Sequence, residues 1–205
     1  MLPQEIVPGL LRWSAPHPEW RPGAPPGSSA DWEEEVGSVL NELAAVVVLI
    51  DPQLPSEDRE RFLGWLDARI AGRAVSILTT IKWHRRSREE LAARYASNGP
   101  RAWNAVPAGV VPHPLRGAGE TLYWLPDVAA LVAGDRLVRP AEQELRLCPE
   151  SWLADVTVDR AGLARLMRPL LELPIERVLV SHGEPVLHDG RAALARALAE
   201  GQGDG

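Results

Sequence analysis

Val75-Ser76-Ile77-Leu78-Thr79-Thr80-Ile81-Lys82-Trp83-His84-Arg85-Arg86-Ser87 begins as an apolar run and ends in a crowd of cations around one imidazole. Ala74 to Leu78 is short and rich in β-branched residues, which predicts a buried strand. Ser87-Arg88-Glu89-Glu90 has the Ser-x-x-Glu form of a capping box, and Leu91 and Tyr95 follow four apart on one helical face. Thr79 to Arg86 is therefore read as a strand-to-helix loop. In open α/β sheets that edge, beyond the carboxyl ends of the strands, is where ligands bind.

Working outward, Ala44-Ala45-Val46-Val47-Val48-Leu49-Ile50 is the strongest strand in the chain, apolar on both faces and ended by Asp51-Pro52. Ser56 is expected to cap a helix from Glu57 to about Ala71, with Phe62, Trp65, Leu66 and Ile70 as its apolar stripe and Gly72 as its stop. Towards the N-terminus, Leu2 to Ser14 reads as a hairpin turning at Pro8-Gly9. Ala15 to Ser29 holds five prolines and cannot be regular structure. His17 and Trp20 in that loop read either as solvated side chains, the ordinary state of a loop histidine, or as groups folded over a pocket. Trp32 to Leu43 fits either a strand or a short helix.

Towards the C-terminus the alternation gives way to consecutive strands, Ala102 to Val111, Glu120 to Leu125 and Val128 to Val132, the last ending at Gly134-Asp135. Arg136 to Asp155 has little periodicity. Asp159 caps a helix with Leu163, Leu166, Met167, Leu170 and Leu171, kinked at Pro169. Val178-Leu179-Val180 is a last buried strand ending at Ser181-His182-Gly183, and Asp189 is expected to cap a terminal helix.

With 205 residues, 45% hydrophobic and 24% charged, the chain suits one domain over 1–200 with a disordered tail at 201–205. A formal net charge of -6 argues against nucleic acid or an anionic membrane surface as partner. No apolar run is long enough to span a bilayer, and the N-terminus lacks a secretory pattern, so a cytoplasmic location is expected. Cys148 is the single cysteine, which excludes an internal disulfide and a thiolate cluster and reads as a packing residue. Of the eight tryptophans, Trp13, Trp20 and Trp32 would suit a partner surface if they clustered in solvent. No Gly-x-Ser-x-Gly turn marks a serine hydrolase, and oligomeric state is not legible.

The loops Thr79 to Arg86, Gly134-Asp135 and Ser181-His182-Gly183, with Arg116 before the Glu120 strand, resemble the metal-ligand loops of the metallo-β-lactamase fold superfamily. The resemblance extends over Ile50-Asp51-Pro52, Gly119 to Pro126, Ala133 to Leu137 and Val180 to Gly183. It implies an α/β (α+β) chain folded as a four-layer αββα sandwich. That family carries His-x-His-x-Asp-His in the first loop, a further histidine before a turn, a Gly-Asp carboxylate and a last histidine in a Gly-His-Gly-like turn. Here Thr80 and Lys82 stand at the first two histidines, His84 at the aspartate, Arg85 at the last histidine of the cluster, and Arg116 at the histidine before the turn. Only Asp135 and His182 keep the family's ligand types, so the two-metal site implied by the resemblance is degenerate.

Two readings follow. In the first the pocket is metal-free, closed by ion pairs among Lys82, Arg85, Arg116 and Asp135, and binds a small anion, with Trp83, His17 and Trp20 at its rim. In the alternative, His84, Asp135 and His182 hold one zinc, iron or manganese ion, and the protein hydrolyses a small ester, thioester, amide or phosphoester. Electrostatics favours the first. A divalent ion and a unit charge about 5 Å apart repel by roughly 5 to 7 kcal/mol at an effective dielectric of about 20. Structural zinc sites bind with about 10 to 16 kcal/mol, so two inward cations would cancel most of the affinity. If the cations point outward, the objection disappears.

Overall fold

The computed structural model describes residues 3–97 and 106–201. Two β-sheets face each other, each backed by helices. The first sheet runs in the order β1 (Gln4–Val7), β2 (Leu10–Pro16), β3 (Glu35–Glu42), β4 (Val46–Ile50), β5 (Ala74–Leu78), antiparallel except for the parallel β4–β5 pair. The second is built from β6 (Val111–Leu115), β7 (Glu120–Leu125), β8 (Ala130–Ala133) and β11 (Arg177–Val180), in the order β11-β8-β7-β6, with β11 parallel to β8. A short antiparallel pair, β9 (Leu137–Val138) and β10 (Arg146–Leu147), lies in the excursion between β8 and β11. Helices α1 (Arg59–Ile70) and α2 (Arg88–Arg94) belong to the first half, and α3 (Arg160–Met167) and α4 (Gly190–Glu200) to the second.

Side-chain alternation sorts each strand between layers. Val47 and Leu49 of β4 pack with Phe62, Leu66 and Ile70 of α1, whereas Val48 and Ile50 join Leu78, Tyr123, Val132 and Leu179 between the sheets. Leu122, Trp124, Leu131 and Ala133 face the other way, onto Leu163, Met167, Leu194 and Leu198 of α3 and α4. Three apolar interfaces between four layers make the expected αββα sandwich, and its centre is the face that β4 and β8 both bury.

The region left open between strand and helix is strand β3. Its Gly37 explains how the sheets meet: a Cβ there would lie 2.6 Å from the Val180 carbonyl oxygen, and Gly37 N–H donates to Ser181 O at 2.7 Å. The expected Ala102–Val111 strand lies partly outside the described residues, and residues 106–110 are not extended; the strand is Val111–Leu115 instead. It carries Pro112 and Pro114 because it is an edge strand, where a missing N–H leaves no ladder bond unmade. The strand expected at Val128 starts at Ala130, after a 3-10 turn over Pro126–Val128 and a left-handed Ala129.

Three expected caps are absent. Asp189 precedes α4 at a left-handed φ of 53° and makes no side-chain cap bond. Helix α1 starts after a left-handed Asp58 with no side-chain cap, so Ser56 does not open it. Ser87 makes no cap bond to α2; its Oγ accepts the Leu54 N–H at 2.9 Å, tying the loop after β4 to the loop after β5. Asp159 does cap α3, accepting from Gly162 N at 2.7 Å, and Pro169 converts its end into a 3-10 turn over Arg168–Glu172. Cys148 is fully buried, and burial pushes its thiol up to about 12, in keeping with a packing role. Among the described residues, no helix is long and apolar enough to cross a membrane.

Candidate metal centre

Both parallel pairs, β4–β5 and β8–β11, end at the same edge of the sandwich, which gathers the loops after Ile50, Leu78, Ala133 and Val180. There His84, Asp135 and His182 each offer one ligand atom, and the three atoms lie within 4.8 Å of one another. All three residues are buried. His84 Nε2 lies 2.8 Å and His182 Nε2 3.2 Å from Asp135 Oδ1. Neither ring N–H lines up with that oxygen, so Oδ1 has no aligned donor, and His182 Nδ1 has no partner either. The other carboxylate oxygen, Oδ2, accepts the Trp83 indole N–H at 2.6 Å.

Asp51 fixes His84 from behind. Its Oδ2 lies 2.9 Å from His84 Nδ1 and also takes the Thr80 hydroxyl, while Oδ1 accepts Thr80 N–H at 2.9 Å. Asp51 holds a left-handed φ of 47°, and Arg86, at φ 44°, another. That turn at Arg86 carries its guanidinium inward: one nitrogen donates to Gly37 O at 2.6 Å and Asp51 O at 2.8 Å, the other to Ser181 Oγ at 3.0 Å. A non-glycine residue in this region costs on the order of 1 kcal/mol or more, so both turns are held by the hydrogen bonds around them. Burial works against a charged His84 imidazole, but the carboxylates of Asp135 and Asp51 outweigh burial and Arg86 and raise it to about 9. Burial also opposes ionisation of Asp135, yet the two imidazoles hold its carboxyl well below the usual range.

Backbone sets the other side. Buried Glu120, at the start of β7, accepts three successive N–H groups, Gly134 at 2.9 Å, Asp135 at 2.8 Å and Arg136 at 3.0 Å, and so shapes the turn that presents Asp135. Burial and the nearby Asp135 charge raise Glu120 to about 7 against those N–H bonds. Gly134 allows the approach, since a Cβ there would collide with the Thr80 hydroxyl. His182 precedes Gly183, whose φ of +92° and contact with the Arg139 backbone admit no side chain. Trp32 and Trp152 set their rings edge-on to His182, with centroids 5.6 and 5.1 Å away.

The three donors open into a pocket of about 430 Å³ whose walls include Trp32, Trp83 and Trp152, with His17, Glu19 and Asp155 also lining it. The proline-rich loop reaches it through His17, while Trp20 donates to Trp32 O at 2.9 Å and braces that wall. Trp13, Trp20 and Trp32 form no exposed cluster: Trp13 is buried in the first-half core and Trp32 packs on His182.

The cations expected inside the pocket are elsewhere. Lys82, Arg85 and Arg116 are exposed and absent from its lining, and Asp135 makes its contacts with His84, His182 and Trp83 instead of the expected ion pairs. The arginines that do line it are Arg86 and Arg136, neither singled out by the sequence. Arg136 is buried and donates to Ala118 O and Trp152 O at 2.9 and 2.8 Å. Asp51 and Glu120 were also missed; a carboxylate directly at the end of a strand buried on both faces is the signal that would have found Asp51.

Two imidazoles and a carboxylate, buried, convergent and with an unaligned oxygen between them, fit a single divalent ion. Asp51 on His84 Nδ1 is the outer carboxylate that such ligands commonly have. The electrostatic objection to an ion lapses for Lys82, Arg85 and Arg116, which face solvent; it now falls on Arg86 and Arg136, which line the pocket with their guanidiniums donating to Gly37 O, Asp51 O and Ser181 Oγ, and to Ala118 O and Trp152 O.

No protein-family model and no curated protein sequence matches the chain. Solved structures do. A metallo-β-lactamase from Erythrobacter litoralis superposes with a TM-score of 0.64 at 15% identity, over 98% of this chain and 95% of its own. A metallo-β-lactamase family protein from Thermus thermophilus gives 0.54 at 18% identity, over 97% and 81%. A metallo-β-lactamase from Pseudomonas aeruginosa in its mono-zinc form gives 0.62 at 10% identity, over 97% and 94%. At these identities the likeness concerns architecture. The superpositions span nearly the whole of this chain, and the chain has the metallo-β-lactamase fold.

Proposed function

We propose that this protein is a hydrolase dependent on one metal ion, held by His84, Asp135 and His182, and acting on a small ester, thioester or phosphoester. The observation that carries the reading is the convergence of three buried ligand atoms within 4.8 Å on a pocket of about 430 Å³, a size that suits small substrates. One ion rather than two is supported by Thr80, Lys82 and Arg116, which stand where the resemblance puts the histidines of a first site. Thr80 is itself committed to Asp51.

A divalent ion in such a site polarises a carbonyl or phosphoryl oxygen and lowers the pKa of a bound water. The chain's own residues supply the rest. Asp51 keeps Nδ1 of His84 engaged so that Nε2 faces the site. Trp32, Trp83 and Trp152 give the pocket apolar walls that exclude bulk water, and Glu19, Asp155 and His17 are the polar groups near the substrate.

Purification without chelators followed by elemental analysis tests the proposal. About one zinc, iron or manganese per chain is expected, falling to background in His84→Ala and His182→Ala. Hydrolysis of chromogenic esters and phosphodiesters should stop on chelation and return on adding metal. Background metal in the wild type, with no uptake on dialysis against zinc, would refute it.

A further inference from the structure

We propose that Trp83 is a positioning residue that makes Asp135 a one-oxygen ligand and thereby biases the centre towards small ions of low coordination number. The inference rests on the reading that His84, Asp135 and His182 hold an ion. The two oxygens of Asp135 are divided between different neighbours: Oδ2 takes the Trp83 indole N–H at 2.6 Å, and Oδ1 alone faces the imidazole nitrogens, at 2.8 and 3.2 Å. Zinc is content with four donors and a single carboxylate oxygen, whereas larger oxygen-seeking ions draw on more donors and often on both carboxylate oxygens. Two-oxygen coordination by Asp135 would require breaking the indole bond.

Packing alone does not fix where the indole N–H points. Trp83 is 43% exposed, one of two large hydrophobics left so open among the described residues, so neighbours hold only part of the ring. The hydrogen bond sets the orientation of the N–H, and its surroundings strengthen that bond. Lys82 Nζ lies 5.3 Å and the Arg136 guanidinium carbon 5.9 Å from the indole centroid. Cations near the ring draw on its π electrons and make the N–H a better donor. Lys82, outside the pocket, thus acts on Asp135 through the indole.

Trp83→Phe keeps a ring and removes the N–H. Metal-free wild type and variant would be titrated calorimetrically with zinc alone and with manganese alone. Loss of an outer partner of a metal ligand commonly weakens binding 10- to 100-fold, so zinc affinity should fall by at least about tenfold, with the zinc-to-manganese preference narrowed. In a proton–nitrogen correlation spectrum of the metal-free wild type, the Trp83 indole N–H should lie downfield and exchange slowly, and lose both properties in Asp135→Ala. Unchanged zinc and manganese constants in Trp83→Phe would overturn the proposal, as would an indole N–H exchanging at the solvent rate. A wild type that takes up neither metal overturns it together with the metal centre, while a wild type that binds zinc no differently from Trp83→Phe overturns this inference alone.

Discussion

The two walls of the pocket are built on different principles. The wall from the loops after β4 and β5 is a side-chain network in which Asp51 receives Thr80 and His84, and Arg86 spans Gly37, Asp51 and Ser181. The wall from the loops after β8 and β11 is set by backbone, through the three N–H groups on Glu120 and the packing of Gly183 on Arg139. The first wall spends most of its polar groups on itself, apart from Arg86 Nε, which has no partner, and His84 Nε2, which is turned to Asp135. The second holds Asp135 and His182 by backbone while leaving Oδ1 and Nδ1 without aligned partners. The three candidate ligand atoms thus come from both walls, one positioned by side chains and two by backbone.

That contrast is open to direct attack, most severely at Gly183. Gly183→Ala drives a Cβ into the Arg139 carbonyl at a φ of +92° and should cost about 4 kcal/mol in denaturant unfolding. A loss below about 1 kcal/mol would mean the backbone wall is pliant. Next is the pH response of the metal-free protein. His84 is raised from 6.5 to about 9, so the stability it contributes is complete below about 6.5 and is lost as pH climbs through 9, a change on the order of 3 kcal/mol at most. Unfolding midpoints flat from pH 6.5 to 9 would show that Asp51 and Asp135 do not share an imidazolium.

Glu120→Ala strands three buried N–H groups and should destabilise by about 2 to 3 kcal/mol, more than Thr80→Val, at about 1 to 2 kcal/mol, which removes one hydroxyl from Asp51. The reverse order in thermal or chemical unfolding would invert the roles assigned to the walls. Smallest of all, Arg85→Ala and Arg116→Ala should each change stability by less than about 0.5 kcal/mol and leave zinc uptake unaltered, because both side chains are exposed. An improvement in zinc affinity on removing either would restore the expectation that they crowd the site.

The sequence by itself marked the covered strands and the order of the loops at their ends, while the four layers and the candidate ligands were implied by its resemblance to the metallo-β-lactamase superfamily. Strands such as Val46–Ile50, apolar on both faces, can only lie inside a covered sheet, and the order of the loops carrying His84, Asp135 and His182 follows from where those strands end. What it left open was direction. Lys82, Arg85 and Arg86 sit within five residues of one another, yet only Arg86 enters the pocket, because the backbone takes a left-handed turn at φ 44° and Gly37, Asp51 and Ser181 are there to receive it. The cap at Ser87 failed for a related reason: Leu54 N–H, distant in sequence from Ser87, took the hydroxyl. Patterning reports which residues must leave water. Which way a polar side chain turns in a loop depends on partners that only the assembled tertiary structure brings within about 3 Å, and here those partners tie the Arg86 guanidinium to Gly37, Asp51 and Ser181 while Lys82 and Arg85 stay in solvent.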